Sequence, residues 1–400
     1  MLLINVLGVL VFIGIGVLFS KRRKEINWRG VGVLLALNLF LAWFLMSFPI
    51  GRQIIAGAAA AFVWLINVSY EGIAFAFPDW VHPAGGQMNF FTSALLPILF
   101  VVPLFDILTY TGILPFIIKW IGKVLALITR QPKFEAFFAI EMMFLGNAEA
   151  LAVSSLQLSR MKADRCLTLA MMSMSCVTAA LIGVYTTMLP AEFILTAVPL
   201  NVINALIVTN ILHPVKISEA EDTVARVGEG GREREPFFAF LSSSILGAGR
   251  LVLIICATVI CFVSLAKFID MLLALVSPAV SLESILGCIM FPFAWLMGLD
   301  ASEAFLLAQH MGTKLVTNEF VVMLAVKDQL PTFSRHLQGV LTVFVTSFAN
   351  FGTLGMIIGC FKSMVDESKN ELISRNVGYI LLSGILVSLL SAGVAGLFIW

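Results

Sequence analysis

The sequence predicts an all-α polytopic membrane protein with eight transmembrane helices plus two opposed re-entrant hairpins, arranged as inverted repeats with interfacial helices. The 400 residues are 60% hydrophobic and 12% charged, with a mean hydropathy of +1.00, whereas an average soluble domain carries roughly 25% charged residues. Eight apolar runs are near or above the roughly 20 residues needed to cross a bilayer. Two further apolar stretches are interrupted by Gly, Asn and Glu. This combination excludes a soluble fold.

The eight candidate spans lie near residues 1–20, 30–49, 91–112, 166–189, 194–213, 238–268, 338–361 and 377–400. With the loop at 21–29 in the cytoplasm, most of the 25 basic residues fall in inside loops, and the positive-inside rule then puts both termini outside. The first apolar run precedes the basic cluster Lys21–Lys24, the reverse of the charge order in a cleavable signal peptide. We therefore expect this run to stay attached as a membrane helix.

This alternation requires the two interrupted stretches, 133–160 and 301–328, to enter and leave the membrane on one side. A re-entrant hairpin whose tip is buried in protein satisfies its backbone there, whereas the same break facing lipid would leave polar groups unpaired. Glu135-Ala136-Phe137 and Glu303-Ala304-Phe305 open the stretches, and Glu149 and Glu319 follow in each. The stretches therefore read as two copies of one device, about 170 residues apart.

The remaining segments complete the organisation. Residues 113–128 and 283–297 are expected to form interfacial helices, 50–90 an external amphipathic helix plus loop, and 214–236 a solvated linker. The predicted units are scaffold helices 1–3 with the external amphipathic segment (1–112), a first transport repeat (113–213), the cytoplasmic linker with scaffold helix 6 (214–268), and a second transport repeat (269–400).

Two carboxylates carry the functional prediction. Glu149 lies in Gly146-Asn147-Ala148-Glu149 and Glu319 in Thr317-Asn318-Glu319-Phe320. A carboxylate at mid-membrane costs a few kcal/mol and needs a partner, which a polyhydroxylated or cationic substrate would supply. The alternative is a structural ion pair of Glu319 with Lys314, five residues earlier. Asn147 and Asn318 add amide donors and acceptors, and duplicated, interrupted helices of this kind hold substrates in transporters.

A third break is expected within the seventh span, in Ser347-Phe348-Ala349-Asn350-Phe351-Gly352-Thr353. Its counterpart in the fourth span is Ser175-Cys176-Val177-Thr178-Ala179-Ala180. Two hairpin tips and two weakened helices can converge on one cavity. The plainer interpretation of Phe348 and Phe351 is ordinary helix packing.

Other functional classes find little support. The six cysteines lie in or beside apolar segments, with no CxxC and no His at metal-ligand spacing, so we expect buried thiols and no metal or cofactor. Basic residues are scattered through short loops, which disfavours a nucleic-acid partner. A membrane-embedded hydrolase or transferase built on the paired acids would need a nucleophile–base pair or a phosphate-binding glycine loop. An ion channel lined by the hairpins is a third alternative.

Four motifs resemble the concentrative nucleoside transporter family. They are Gly146-Asn147-Ala148-Glu149-Ala150, Ala294-Trp295-Leu296-Met297-Gly298, the stretch GTKLVTNEF at 312–320, and Phe348-Ala349-Asn350-Phe351-Gly352. The resemblance implies a homotrimer in a lipid membrane, moving a nucleoside by an elevator-like displacement, with no enzymatic activity. It assigns ribose contacts to Glu149, Glu319, Asn350 and Thr353 and an aromatic contact to Phe348, and we add Asn147, Ala148, Ala180 and Asn318 to the expected site.

Departures from the family pattern refine this expectation. The base-contacting pair, commonly Gln-Thr or Gln-Ser, is Asn147-Ala148 here, which frees volume for a bicyclic base. Together with the segments Met-Met-Phe-Leu-Gly-Asn and Ser-Ala-Leu-Leu-Pro, this resembles the bacterial branch associated with purine nucleosides and an inner-membrane location. A broad or pyrimidine specificity is the alternative.

The coupling ion is addressed by a third departure. Sodium-coupled members place an Asn where this chain has Met142, and a thioether is a poor ligand for a hard cation. Ser175 matches the other side-chain ligand but alone is a weak site. Proton coupling is therefore favoured over sodium, with Glu149, Glu319 and Glu141 as candidate carriers. Glu141 could instead lie on a solvated hairpin face, and His310 could be a structural hydrogen-bonder.

Overall fold

A computed structural model describes residues 1–83, 86, 88–217, 221–222, 235–277 and 280–400. The secondary structure of the described part is helical, with no strand in it. Most of the predicted linker at 214–236 lies outside the described residues. In chain order the helices are α1 Leu2–Leu18, α2 Trp28–Met46, α3 Pro49–Ala76, α4 Pro78–Val81, α5 Ile98–Tyr110, α6 Ile113–Thr129, α7 Lys133–Leu145, α8 Asn147–Val153, α9 Ser155–Arg160, α10 Ala163–Ser173, α11 Ala179–Tyr185, α12 Ala191–Leu212, α13 Phe237–Val276, α14 Leu282–Trp295, α15 Ala301–Val316, α16 Glu319–Val326, α17 Arg335–Val345, α18 Phe351–Met364, α19 Glu367–Arg375 and α20 Val377–Gly396.

Several helices match the length and apolarity of membrane spans. Six segments of the described residues are long and apolar enough to cross a bilayer: α2, α3, Phe91–Tyr110, α12, Phe237–Leu275 within α13, and α20. Shorter apolar helices are α1, α14 and α18. The prediction of an all-helical, multi-pass protein is confirmed, while the count of eight spans and two hairpins stays a prediction. The segment at 50–90 contains a single helix of 28 residues, longer and more apolar than expected for an external amphipathic segment.

The fourth and seventh predicted spans are each broken into two helices. In the fourth, α10 ends at Ser173 and α11 begins at Ala179, where the Thr178 hydroxyl accepts a hydrogen bond from the backbone of Ala180 at 3.2 Å. In the seventh, the Asn350 side chain accepts from the backbone N–H of Thr353 at 2.8 Å and so begins α18. Side-chain caps of this kind satisfy helix-terminal donors that water cannot reach inside a membrane. Both breaks are where the sequence predicts them.

The two halves share a constant register after the hairpin tips. Helices α8 and α16 begin at 147 and 319, α10 and α17 at 163 and 335, and α11 and α18 at 179 and 351, always 172 residues apart. Before the tips the spacing is shorter, because α7 has 13 residues and α15 has 16. The match of Glu135 with Glu303 therefore holds at the helix starts. In this register Asn147 lies opposite Glu319, and Glu149 lies two residues further along.

The interior is built around α12 and α20, whose described side chains are largely buried. Helices α1, α2 and α17 pack against this pair. A buried polar chain ties three of these elements, because Asn38 donates to Asn204 at 2.8 Å and Asn204 donates to Ser391 at 2.9 Å. Helix α13 packs mainly along α5 and leaves most of its apolar surface exposed, as a surface facing lipid or further protein would.

Helices α6 and α14 lie directly before the two hairpins. On α6 the exposed side includes Phe116, Trp120 and Leu127, while Ile118 and Leu125 are buried. Such a one-sided apolar surface suits a helix at the membrane interface. Helix α14 packs closely on α15, where a Cβ atom at Gly312 would lie 2.3 Å from the Cβ of Leu286. Only glycine at this position permits the close approach of α14 to α15. This contact holds the first arm of the second hairpin in place.

Candidate functional site

Two helix tips and two helix breaks meet in one region. We call the turn at Gly146–Glu149 tip 1 and the turn at Thr317–Glu319 tip 2. Gly146 has a φ of +86°, a conformation that glycine adopts readily, and a Cβ at this position would lie 3.1 Å from the Cβ of Thr178 in the first break. Helix α8 packs against α18, beyond the second break. Tip 1 therefore contacts both broken segments.

Tip 2 holds a buried carboxylate. Glu319 is 5% exposed and is the first residue of α16, where the helix dipole favours a negative charge. Its Oε1 accepts a hydrogen bond from the Tyr185 hydroxyl at 3.0 Å, and its Oε2 accepts from Asn350 Nδ2 at 3.1 Å. Asn318, which is partly buried, caps the same helix by accepting from the backbone N–H of Val321 at 3.1 Å. The carboxylate is thus held by protein groups on both oxygens.

Lys314 is fully buried beside this tip. Its ammonium donates to Ser347 Oγ at 2.6 Å, to the carbonyl of Phe344 at 3.2 Å and to Ser388 Oγ at 3.4 Å. It also lies 4.7 Å from the centre of the Phe344 ring. Among the described residues it forms no ion pair within 4.0 Å, so the direct contact with Glu319 considered from the sequence is not formed.

Tip 1 is less satisfied than tip 2. Asn147 is 5% exposed, and neither its Oδ1 nor its Nδ2 has a hydrogen-bond partner among the residues that the structure describes. Burying such an amide without partners is costly, so the group is available to a ligand. Glu149 is exposed, and the side chain of Ala148 lies outside the described part. The predicted base-contacting position therefore carries an unpaired amide.

The second break brings the remaining predicted residues to the region. Phe348 is 9% exposed, and Asn350 and Thr353 are buried, with Asn350 bridging Glu319 and the start of α18. Phe351, by contrast, is half exposed. Ala180 is buried in the first turn of α11. The structure therefore places Asn350 in direct contact with Glu319 and places Thr353 one turn beyond it.

Two of the candidate coupling residues, Glu141 and Ser175, lie before tip 1 and in the first break. Glu141 is buried on α7 and accepts a hydrogen bond from Ser154 Oγ at 2.7 Å, so it is not on a solvated hairpin face. Met142 is fully buried, with Ser173 Oγ 4.0 Å from its sulfur. Ser175 donates to the carbonyl of Met172 at 3.5 Å. His310 is partly buried on α15.

Tyr185 is the residue that the sequence reasoning missed. Its hydroxyl donates to Glu319, and its ring packs edge-on against Phe320 with the centroids 5.3 Å apart. The available signal was that Tyr185 is one of four tyrosines in the chain and lies near the end of the predicted fourth span. No group of three or more His, Cys, Asp or Glu side chains within the described ranges could hold a metal ion.

Comparisons with known proteins place this arrangement in a family. The profile described as "Na+ dependent nucleoside transporter C-terminus" matches residues 193–396, and the corresponding N-terminal profile matches residues 7–80. The purine nucleoside transport protein NupG of Bacillus subtilis is 44% identical over 398 residues, which cover 100% of this chain and 99% of NupG. The chain belongs to the concentrative nucleoside transporter family. It is accordingly a nucleoside transporter and not an enzyme.

Solved structures support the same assignment. The inward-facing, substrate-bound structure of CNTnw superposes with a TM-score of 0.92 at 26% sequence identity, covering 99% of this chain and 97% of that one. An outward-facing CNTnw variant superposes with a TM-score of 0.92 at 25% identity, covering 99% and 97%. The predicted family resemblance is confirmed over essentially the whole chain.

Proposed function

We propose that this transporter imports purine nucleosides into the cell by proton symport, with an elevator-type displacement of the transport repeats. The observation that carries the substrate class is the 44% identity, over its whole length, to a protein named as a purine nucleoside transporter. The Asn147 amide, which has no hydrogen-bond partner among the described residues, could bind a base edge, and the short Asn147-Ala148 pair leaves volume for a bicyclic base.

The ribose is proposed to lie between the two tips. Glu319 and Asn350 already hold each other at 3.1 Å, and ribose hydroxyls would donate to the free lone pairs of the carboxylate. Glu149, exposed on tip 1, would accept from the same sugar, and Thr353 would add a hydroxyl. Phe348 would pack against the nucleoside, and Asn147 would bind the base. Nothing in this scheme requires a cofactor.

Proton coupling is proposed from the side chains directly before tip 1 and in the first break. The matching profile is described as Na+ dependent, but Met142, which is buried before tip 1, carries a thioether, and a thioether binds hard cations poorly. Ser175, the other side-chain ligand implied by the family resemblance, would be a weak cation site alone. A carboxylate that exchanges its proton during transport is the remaining device, and Glu149, Glu141 and Glu319 are the candidates.

Assembly and location are proposed from the same family membership. The long apolar surface of α13, which packs mainly along α5 and is otherwise largely exposed, suits a trimer scaffold. That CNTnw has been solved in inward-facing and outward-facing states supports movement between two such states. The protomer would then lie in a bacterial inner membrane with both termini on the extracytoplasmic side.

Uptake into vesicles tests the proposal directly. Purified transporter in liposomes would be given labelled inosine or uridine, with sodium and pH gradients imposed separately. The proposal predicts inosine uptake driven by an inwardly directed proton gradient and insensitive to sodium. Sodium-driven uptake at equal pH would overturn the coupling, and uridine outcompeting inosine would overturn the substrate class.

A further inference from the structure

A cation that forms no ion pair with any residue in the described ranges is buried in the second repeat. Lys314 is 0% exposed, and its contacts are two serine hydroxyls, a carbonyl and an aromatic ring. Burying a charged side chain in the membrane interior costs free energy. Such residues therefore mark functional positions. Its acceptors come from the end of α17, from the second break and from α20, so the ammonium on α15 connects its own helix to three other segments.

The hairpin arm of the first repeat buries no cation. This arm, α7, carries one lysine, Lys133, which is exposed at the start of the helix. Ser347, counted with the 172-residue spacing that holds after the tips, corresponds to Ser175, whose hydroxyl donates to the carbonyl of Met172. The arm before tip 2 therefore buries an ammonium that the arm before tip 1 lacks.

The ammonium is linked to Glu319 through the second break. Ser347 accepts from Lys314, and Asn350, three residues later, donates to Glu319. Lys314 precedes Glu319 by five residues, and the ionisable group that contacts Glu319 directly is Tyr185.

We propose that Lys314 is a positioning residue, the resident cation of the second repeat. Its ammonium fixes the break at 346–350 and balances the charge of Glu319 without touching it. The break in turn presents Asn350 to the carboxylate. The second tip is thus electrically neutral and assembled before a nucleoside arrives, and Glu319 acts on the substrate as a fixed acceptor.

A double-mutant cycle on unfolding tests the charge balance. In substrate-free protein, Lys314→Met leaves a buried carboxylate uncompensated and should lower the melting temperature by about 5 °C or more. Adding Glu319→Gln removes the stranded charge, so the double variant should melt above Lys314→Met. If the two losses simply add, Lys314 is only a packing residue and the proposal fails. If Lys314→Met alone cannot be purified, recovery of folded double variant supports the proposal, and failure of both overturns it.

A second measurement concerns the substrate and rests on the proposed function. Ser347→Ala keeps the Lys314 charge but removes its shortest contact, and it should weaken inosine binding about threefold to tenfold by calorimetry. Ser363→Ala, a hydroxyl on α18 that bonds only its own helix, is the matched control and should leave binding unchanged. Unchanged binding in Ser347→Ala would contradict the positioning role. The unfolding cycle contains no nucleoside, so its failure is distinguishable from a failure of the proposed substrate class.

Discussion

The two tips of the site differ in how far the protein itself satisfies them. At tip 2, Glu319 accepts hydrogen bonds on both oxygens, and Lys314 has three acceptors nearby. At tip 1, the buried amide of Asn147 has no partner among the described residues, and Glu149 is exposed. The polar groups of tip 2 thus have hydrogen-bond partners without a ligand. At tip 1, the buried amide lacks partners among the described residues.

This contrast indicates a division of labour. Groups that are held before binding lose little freedom when the ligand arrives, which favours a constant part of the substrate such as a sugar. Groups that lack partners gain most when a ligand supplies them, which favours the part that distinguishes substrates. Tip 2 would then fix the ribose shared by all nucleosides, with Glu149 accepting from the same sugar at the end of tip 1. The Asn147 amide of tip 1 would select the base.

The largest expected effect is at the complete tip. Glu319→Gln replaces one of the two acceptor oxygens by an NH2 donor, which leaves either the Tyr185 or the Asn350 donor without an acceptor. It also removes the negative charge that would accept from the ribose hydroxyls. We expect nucleoside uptake to fall by about 100-fold or more, measured in liposomes at matched protein amounts. The control variant Glu303→Gln, at the start of the same hairpin, should take up nucleoside as the wild type does. Near-normal transport by Glu319→Gln would remove this residue from the site.

The second prediction alters the open tip. Asn147→Gln lengthens the unpaired amide by one methylene and reduces the space for a bicyclic base. The ratio of uridine to inosine uptake should rise by about tenfold, since one group of this size is worth about 1–3 kcal/mol in selectivity. Asn67→Gln, on an exposed face of α3, serves as the control. An unchanged ratio would show that tip 1 does not select the base.

A smaller effect is expected from the residue that sequence reasoning missed. Tyr185→Phe removes one of the two hydrogen bonds to Glu319 and leaves the ring packed on Phe320. The inosine KM should rise about fivefold, the effect of losing roughly 1 kcal/mol. Tyr110→Phe, whose hydroxyl bonds the carbonyl of Glu235 instead, should behave as wild type. A KM unaffected by Tyr185→Phe would contradict the assembled state of tip 2.

The smallest prediction concerns a pH effect on stability outside both tips. His213 follows α12, and burial lowers its pKa to about 4 despite the opposing field of Asp164. The folded protein therefore binds fewer protons than the unfolded chain between about pH 4 and the usual histidine pKa of about 6.5, so stability falls as the pH drops through that window. The loss is on the order of 3 kcal/mol at its lower end.

Melting temperatures measured from pH 7 to pH 4.5 check this effect. His213→Gln should make the melting temperature less dependent on pH. The control His82→Gln, at an exposed residue, should leave this dependence unchanged. Equal slopes in the wild type and His213→Gln would refute the assignment. Proton binding that is coupled to transport should change nucleoside uptake and not the melting temperature. The two effects can therefore be distinguished.

The sequence predicts the class, the breaks and the charged residues of the site, because all three depend on local chemistry. Runs of apolar residues fix the spans, and an Asn or Thr that can cap a helix fixes each break. The partners of those residues depend on how distant segments pack. Tyr185 meets Glu319 across 134 positions, and Lys314 turns to Ser347 and Ser388 although Glu319 is nearer in sequence. The first arm of the second hairpin is also longer, and in the register after the tips Asn147 lies opposite Glu319.

A cryo-electron microscopy structure of the transporter with inosine bound tests the division between the tips most directly. We expect the ribose hydroxyls within hydrogen-bond distance of Glu319 and Glu149, and the purine edge within hydrogen-bond distance of the Asn147 amide. The ammonium of Lys314 should remain on Ser347. A base seated against Glu319 and Asn350, with the sugar at Asn147, would contradict the assignment of the fixed tip to the sugar and the open tip to the base.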